Sequence, residues 1–150
     1  QFQDVLSAVI ILAVFLPIIS DMSGCSGNQA VAVSMRELTL GFIKPKDMYY
    51  VWKKEAVVGI ANGAALGLLI ASVAWLWQGS AWLGLVVGVA LALNTLVAVS
   101  IGGTVPMLLK ALKIDPAVAS GPILTTITDM CGFFMLLSFA SLMLPLLTGN

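Results

Sequence analysis

The sequence predicts an all-α membrane protein, a bundle in which four spanning helices are visible. Three observations predict it. The 150 residues are 60% hydrophobic and 9% charged, whereas soluble domains carry roughly a quarter charged residues. The mean hydropathy is +1.07. The apolar residues gather into four runs, and three of these exceed the roughly 20 residues a helix needs to cross the hydrocarbon.

Segment A runs from about Val5 to Ile19 and is too short to span by itself. It reaches span length only if the polar stretch that follows, SDMSGCSGNQ from Ser20 to Gln29, continues as helix inside the membrane to about Leu38. Segment B, Ala56 to Trp77, contains no charge and carries Gly59, Gly63 and Gly67 at intervals of one turn. Segment C, Ala81 to Leu109, is also uncharged and carries Gly84, Gly88 and Ala92 at the same interval. Such small-residue stripes predict close helix packing in lipid. The short turn Gln78-Gly79-Ser80 predicts an antiparallel B–C hairpin. Segment D, Pro122 to about Leu147, has one charge, Asp129.

Every basic residue lies in one of two loops. Arg36, Lys44, Lys46, Lys53 and Lys54 separate A from B, and Lys110 and Lys113 separate C from D. The positive-inside rule places both loops in the cytoplasm of a multi-pass cell-membrane protein. It places the C-terminus and the B–C turn outside, with Trp75, Trp77 and Trp82 as an outer interfacial belt. Tyr49, Tyr50 and Trp52 mark the inner surface. The start, QFQD, has no basic leader. With the first helix entering from outside, the expectation is an odd number of spans upstream, most simply one.

Several function classes are excluded. Net charge is zero and basic residues are few, so nucleic acid is not a partner. There is no histidine, the usual zinc ligand and general base. No GxSxG or HExxH motif is present and segment D holds a single aspartate, so no enzyme is expected. Cys25 and Cys131 lie far apart and read as small packing residues rather than a disulfide.

An ionisable residue inside a span signals function. Asp129 sits in Thr125-Thr126-Ile127-Thr128-Asp129-Met130-Cys131-Gly132, with no Lys or Arg at that depth. On a helix Pro122, Thr125, Thr126, Asp129 and Gly132 share one face, with Gly121 beside it. In the polar stretch Asp21, Gly24, Cys25 and Asn28 form a second stripe. Gly24 and Gly27 would let a backbone or an ion approach; a helix break without a ligand is the plain alternative. Oxygen-rich faces without imidazole or clustered thiols suit a hard cation. Calcium usually takes six to eight direct oxygens with several carboxylates, whereas two sparse carboxylates suit a hydrated Mg²⁺ better than a stripped one. The same faces are compatible with Na⁺ or protons.

These residues resemble a known family. D-M-S-G-C-S-G-N-Q is similar to the D-x-G-G-N-x-G-x-Q stretch of the MgtE magnesium channels and transporters. Asp115-Pro116-Ala117, Ser120-Gly121-Pro122 and Thr125 to Gly132 resemble that family's DPA…GP…TT…D…G signature. Arg36-Glu37-Leu38, Lys54-Glu55 and Pro106 also fall where the family has similar residues. The resemblance covers essentially the whole chain. It implies a five-span membrane domain working as a homodimer, with the pore at the dimer interface lined by the second and fifth spans. Segment A is then the second span and D the fifth. It implies that Asp129 is the main pore carboxylate, that Thr125 lends a backbone carbonyl, and that Asn28 is a pore asparagine. It places Asp115 at the cytoplasmic mouth, where regulatory Mg²⁺ sits. It also implies cytoplasmic N and CBS domains, outside this chain, that close the pore. Two positions depart from the pattern: Cys25 stands where the family commonly has asparagine, and Ser23 where it has glycine.

The expected function is passage of hydrated Mg²⁺ through a pore lined by 5–38 and 122–147. The expected metal-binding residues are Asp129, Asp21, Asn28, Thr125 and Asp115; Gly24, Cys25, Thr126, Gly121 and Gly132 are expected to line the pore. The expected partners are a divalent cation, the lipid bilayer, a second copy of the chain and the regulatory domains. Two alternatives remain: a carrier coupling Mg²⁺ to Na⁺ or H⁺, and a non-transporting membrane scaffold or ion sensor.

Overall fold

A computed structural model of the chain describes residues 2–142, with side chains described from residue 10 onward. The described residues form four long helices and one short 3-10 turn, and no strand. Helix α1 spans Phe2–Thr39, α2 Met48–Gln78, α3 Ala81–Ala111 and α4 Pro116–Leu142. All four are long and apolar enough to cross a membrane. The all-α reading of the sequence therefore holds.

Helix α1 passes unbroken through the polar stretch. Two of its hydroxyls find partners within the helix: Ser23 Oγ donates to the Ile19 carbonyl (2.7 Å) and Ser26 Oγ to the Met22 carbonyl (3.2 Å). Backbone in lipid must satisfy its polar groups internally, and helix is the conformation that does so. The simple helix break is thus absent from this stretch.

Helix α2 begins earlier than segment B, because hydropathy marks the membrane-crossing part and the helix continues beyond it through Lys53, Lys54 and Glu55. It ends at Gly79, whose φ of 67° is a left-handed cap, and the Gly79 N–H returns to the Trp75 carbonyl (2.8 Å). Ser80 caps α3 by accepting from the Leu83 N–H (3.3 Å). Two residues therefore turn the chain into the antiparallel α2–α3 hairpin.

Helix α4 starts at Pro116 rather than Pro122. Asp115 Oδ1 accepts from the Ala117 N–H (2.9 Å), and proline suits the first helical position because its missing N–H is not needed there. Pro122 is carried inside the helix, where it removes only one ladder bond. The expected end of segment D near Leu147 lies outside the described residues.

Helix α3 is the centre of the bundle and packs on α1, α2 and α4, whereas α1 and α2 scarcely touch. Its most apolar stretch is 56% buried against 22% for that of α2. The main core joins Phe15 and Ile19 of α1, Ile70 of α2, Val87 and Leu91 of α3, and Leu136 of α4. On the α2–α3 side the glycine stripes do what their spacing predicts. A Cβ on Gly63 would sit 2.5 Å from the Ala92 carbonyl oxygen, and one on Gly67 2.7 Å from that of Gly88. Both are too close for any side chain, so the backbones meet directly.

Candidate functional site

The opposite side of the bundle holds an open groove of about 770 Å³ between α1 and α4. Asp21, Gly24, Cys25 and Asn28 line it from α1, and Thr125, Asp129 and Phe133 from α4. Ala13, Pro17 and Ser20 continue it along α1. Residues at intervals of three and four fall on one helical face, and an unbroken α1 turns its polar stripe into one wall. Pro17 has no N–H to give, so the Ala13 carbonyl one turn back is freed from the ladder beside this groove.

Asp129 is half-buried and accepts a hydrogen bond on Oδ1 from Ser20 Oγ across the α1–α4 interface. Asp21, Cys25 and Asn28 are exposed. Thr125 and Thr126 turn their hydroxyls back to the carbonyls of Gly121 (3.0 Å) and Pro122 (2.8 Å), as threonines in lipid-embedded helices do. A smaller groove of about 400 Å³ lies on the other flank of α1, where Asp21, Cys25 and Gln29 meet Asn62 of α2. Asp21 and Cys25 belong to both grooves.

Among the described residues no three Asp, Glu, Cys or His side chains converge on one point. A single chain therefore offers too few anionic oxygens to strip a divalent ion of its water, but enough to attract one that keeps its shell.

A family model named MgtE and described as a divalent cation transporter matches residues 16–139. The chain belongs to the MgtE family. The magnesium transporter MgtE of Bacillus subtilis is 37% identical over 140 residues, covering 93% of this chain and 31% of that protein. That of Enterococcus faecalis is 35% identical over 142 residues, 95% of this chain and 31% of that protein. That of Thermus thermophilus is 36% identical over 143 residues, 95% and 32%. The chain thus spans about a third of the length of these MgtE relatives. All three carry a transporter's name, which agrees with the expectation that the chain is not an enzyme.

In this MgtE-family chain the structure gathers Asp21, Gly24, Cys25, Asn28, Thr125 and Asp129 around one groove. It does not bring the other expected site residues there. Asp115 is exposed at the start of α4, where its carboxylate caps the helix. Gly121 and Thr126 lie on α4 away from the groove lining. Gly132 is buried and turned inward, where a Cβ would meet Asn94 Nδ2 at 2.9 Å. Gly27 likewise serves packing, since a Cβ there would lie 2.9 Å from the Ala98 carbonyl of α3. Of the face drawn through Asp129 on α4, Thr125 and Asp129 meet the groove and Gly132 meets α3.

Cys25 and Cys131 are free thiols, and Cys25 is exposed in the groove rather than a packing residue. Its place on the Asp21 stripe already pointed there.

Sequence reasoning missed Ser20, which bonds Asp129, and Asn94, which is buried between α1 and α4. The signal for Asn94 was available: with Thr95 it interrupts the uncharged segment C.

Proposed function

We propose that this chain forms the ion-conducting part of a transporter that moves Mg²⁺ across the cell membrane with its water shell largely kept. The observation that carries this reading is the open groove between two spanning helices that Asp129 and Asp21 both line. Carboxylates in a span are costly and mark ion paths. The names of the relatives support Mg²⁺ as the cargo.

In this proposal a second copy supplies the missing wall. Two α1–α4 grooves meet about a twofold axis, and two Asp129 carboxylates approach one another. Like charges at close range repel one another when no cation is present. A hydrated divalent ion relieves that repulsion, and its waters donate hydrogen bonds to the Asp21 carboxylate, the Asn28 side-chain oxygen and the Thr125 carbonyl. With the A–B and C–D loops cytoplasmic, ions enter from outside. The membrane potential contributes about 2.3 kcal/mol per elementary charge per 100 mV, twice that for a divalent ion. Regulatory domains outside this chain close the path, and Asp115 at its inner mouth takes part in that control.

A scaffold or sensor would hold Asp129 buried and paired with a neighbouring helix. The Ser20 bond meets half of that description; the open groove does not.

The test is Mg²⁺ uptake into proteoliposomes by the full-length protein and its Asp129→Asn variant. Saturable uptake present in the first and reduced to the protein-free background in the second is expected. Saturable uptake that survives in Asp129→Asn sinks the proposal. Uptake by the wild type that stops when Na⁺ and H⁺ gradients are removed replaces the channel with a coupled carrier.

A further inference from the structure

We propose that Asn94, on a helix that lines none of the groove, is the positioning residue that holds the Asp129 carboxylate in the ion path. This inference rests on reading the groove as that path.

Asn94 is fully buried. A primary amide in an apolar interior is destabilising unless it is hydrogen-bonded. Both of its N–H groups are used, and each reaches a different helix. Nδ2 donates to Ser23 Oγ of α1 (2.6 Å) and to the Thr128 carbonyl of α4 (3.2 Å). Ser23 Oγ in turn donates a hydrogen bond to the Ile19 carbonyl. One amide on α3 thereby ties a turn of α1 to a turn of α4.

Those two turns carry the groove pair. Ser20 lies one turn from Ser23, and Asp129 directly follows Thr128. Asn94 fixes the register of α1 against α4 from inside the bundle, and Ser20 meets Asp129 on the groove side. A slip of one helix would separate the serine from the carboxylate and move the carboxylate along the groove. Fixing register is the best-attested use of a buried polar group.

A further observation favours a positioning role over simple packing. A glycine stands at 132, where a Cβ would crowd the Asn94 amide nitrogen at 2.9 Å. A residue chosen for packing alone would not need that notch opposite.

The test uses the full-length protein in proteoliposomes and measures initial Mg²⁺ uptake against Mg²⁺ concentration. The variants are Asn94→Ala, Ser20→Ala, the double variant and Gly132→Ala. Asn94→Ala is expected to raise the half-saturating concentration about tenfold, the scale on which residues that orient ion-contacting groups act. Gly132→Ala, which pushes the same amide, moves it in the same direction. The double variant is no worse than the more affected single variant, because both changes act through one carboxylate. A purely structural Asn94 would lower thermal stability and leave the half-saturation unchanged. Should Asn94→Ala fail to fold, Gly132→Ala and Asn94→Ser decide the matter. Wild-type half-saturation in the folded variants, or additive shifts in the double variant, overturns the inference. Failure of the conduction reading is separate: it shows as no uptake by the wild type or as saturable uptake by Asp129→Asn.

Discussion

The seam between α2 and α3 is closed by Gly63, Gly67 and Gly84, each too close to a facing carbonyl to carry a side chain. The seam between α1 and α4 is left open and lined by Asp21, Cys25, Asn28, Thr125 and Asp129. Both consist of spanning helices in the same bundle. The difference lies in what lipid allows. Apolar helices gain no hydrophobic energy from leaving lipid for one another, so they associate by close backbone packing, and glycine supplies it. A seam that keeps charged groups instead needs water, an ion or more protein against it. One seam is built for stability and the other at its expense.

That contrast can be broken most sharply at Gly63. Gly63→Leu forces a branched side chain into the Ala92 backbone, and overpacking of this kind costs about 1–3 kcal/mol or more. The expected result is a marked fall in the thermal unfolding temperature in detergent, while protein that remains folded keeps the wild-type half-saturation for Mg²⁺. A shifted half-saturation in the folded fraction would make the α2–α3 seam part of the conduction path.

The groove itself is sharpened by thiol chemistry. Cys25 is exposed there, whereas Cys131 is partly covered. Reactivity follows access, so a small water-soluble methanethiosulfonate is expected to modify Cys25 first. Mg²⁺ is expected to slow that reaction without affecting Cys131. Equal labelling of the two, read by mass spectrometry, would mean that water does not fill the groove.

The smallest effect belongs to the loop end of the bundle. Lys54 Nζ lies 2.7 Å from Glu37 Oε1, joining α1 to α2 where these helices otherwise barely meet. Both side chains are partly exposed, and such pairs are worth less than about 1 kcal/mol. Glu37→Gln, which removes this pair while leaving Lys54 beside the buried Glu55, is expected to shift the unfolding temperature by a degree or two, more at low salt than at high. A large loss would mean that the pair fastens α1 to α2 more firmly than their sparse contact indicates.

Much of this was legible in the residues. Four spans, the short α2–α3 turn and the glycine stripe all follow from local pattern, since hydropathy, turn chemistry and one-turn spacing are properties of neighbouring residues. The polar stripe of α1 was legible for the same reason. The spacing that places Gly132 and Thr126 on one face with Asp129 does not say that Gly132 packs against Asn94 while Thr126 stays exposed. Asp115 was likewise legible as an acidic residue in a signature, but not as the cap of α4.

Composition and spacing alone therefore determined that the chain is a helical membrane protein with acidic residues inside its spans. They did so because lipid leaves helix as the only way for such a chain to satisfy its backbone. Only the tertiary structure decided that α3 is the centre, that Ser20 rather than a basic residue meets Asp129, and that Asn94 ties the helices on either side of the groove. Those contacts join residues far apart in the chain, and the rotation and register of one packed helix against another are settled by the bundle as a whole.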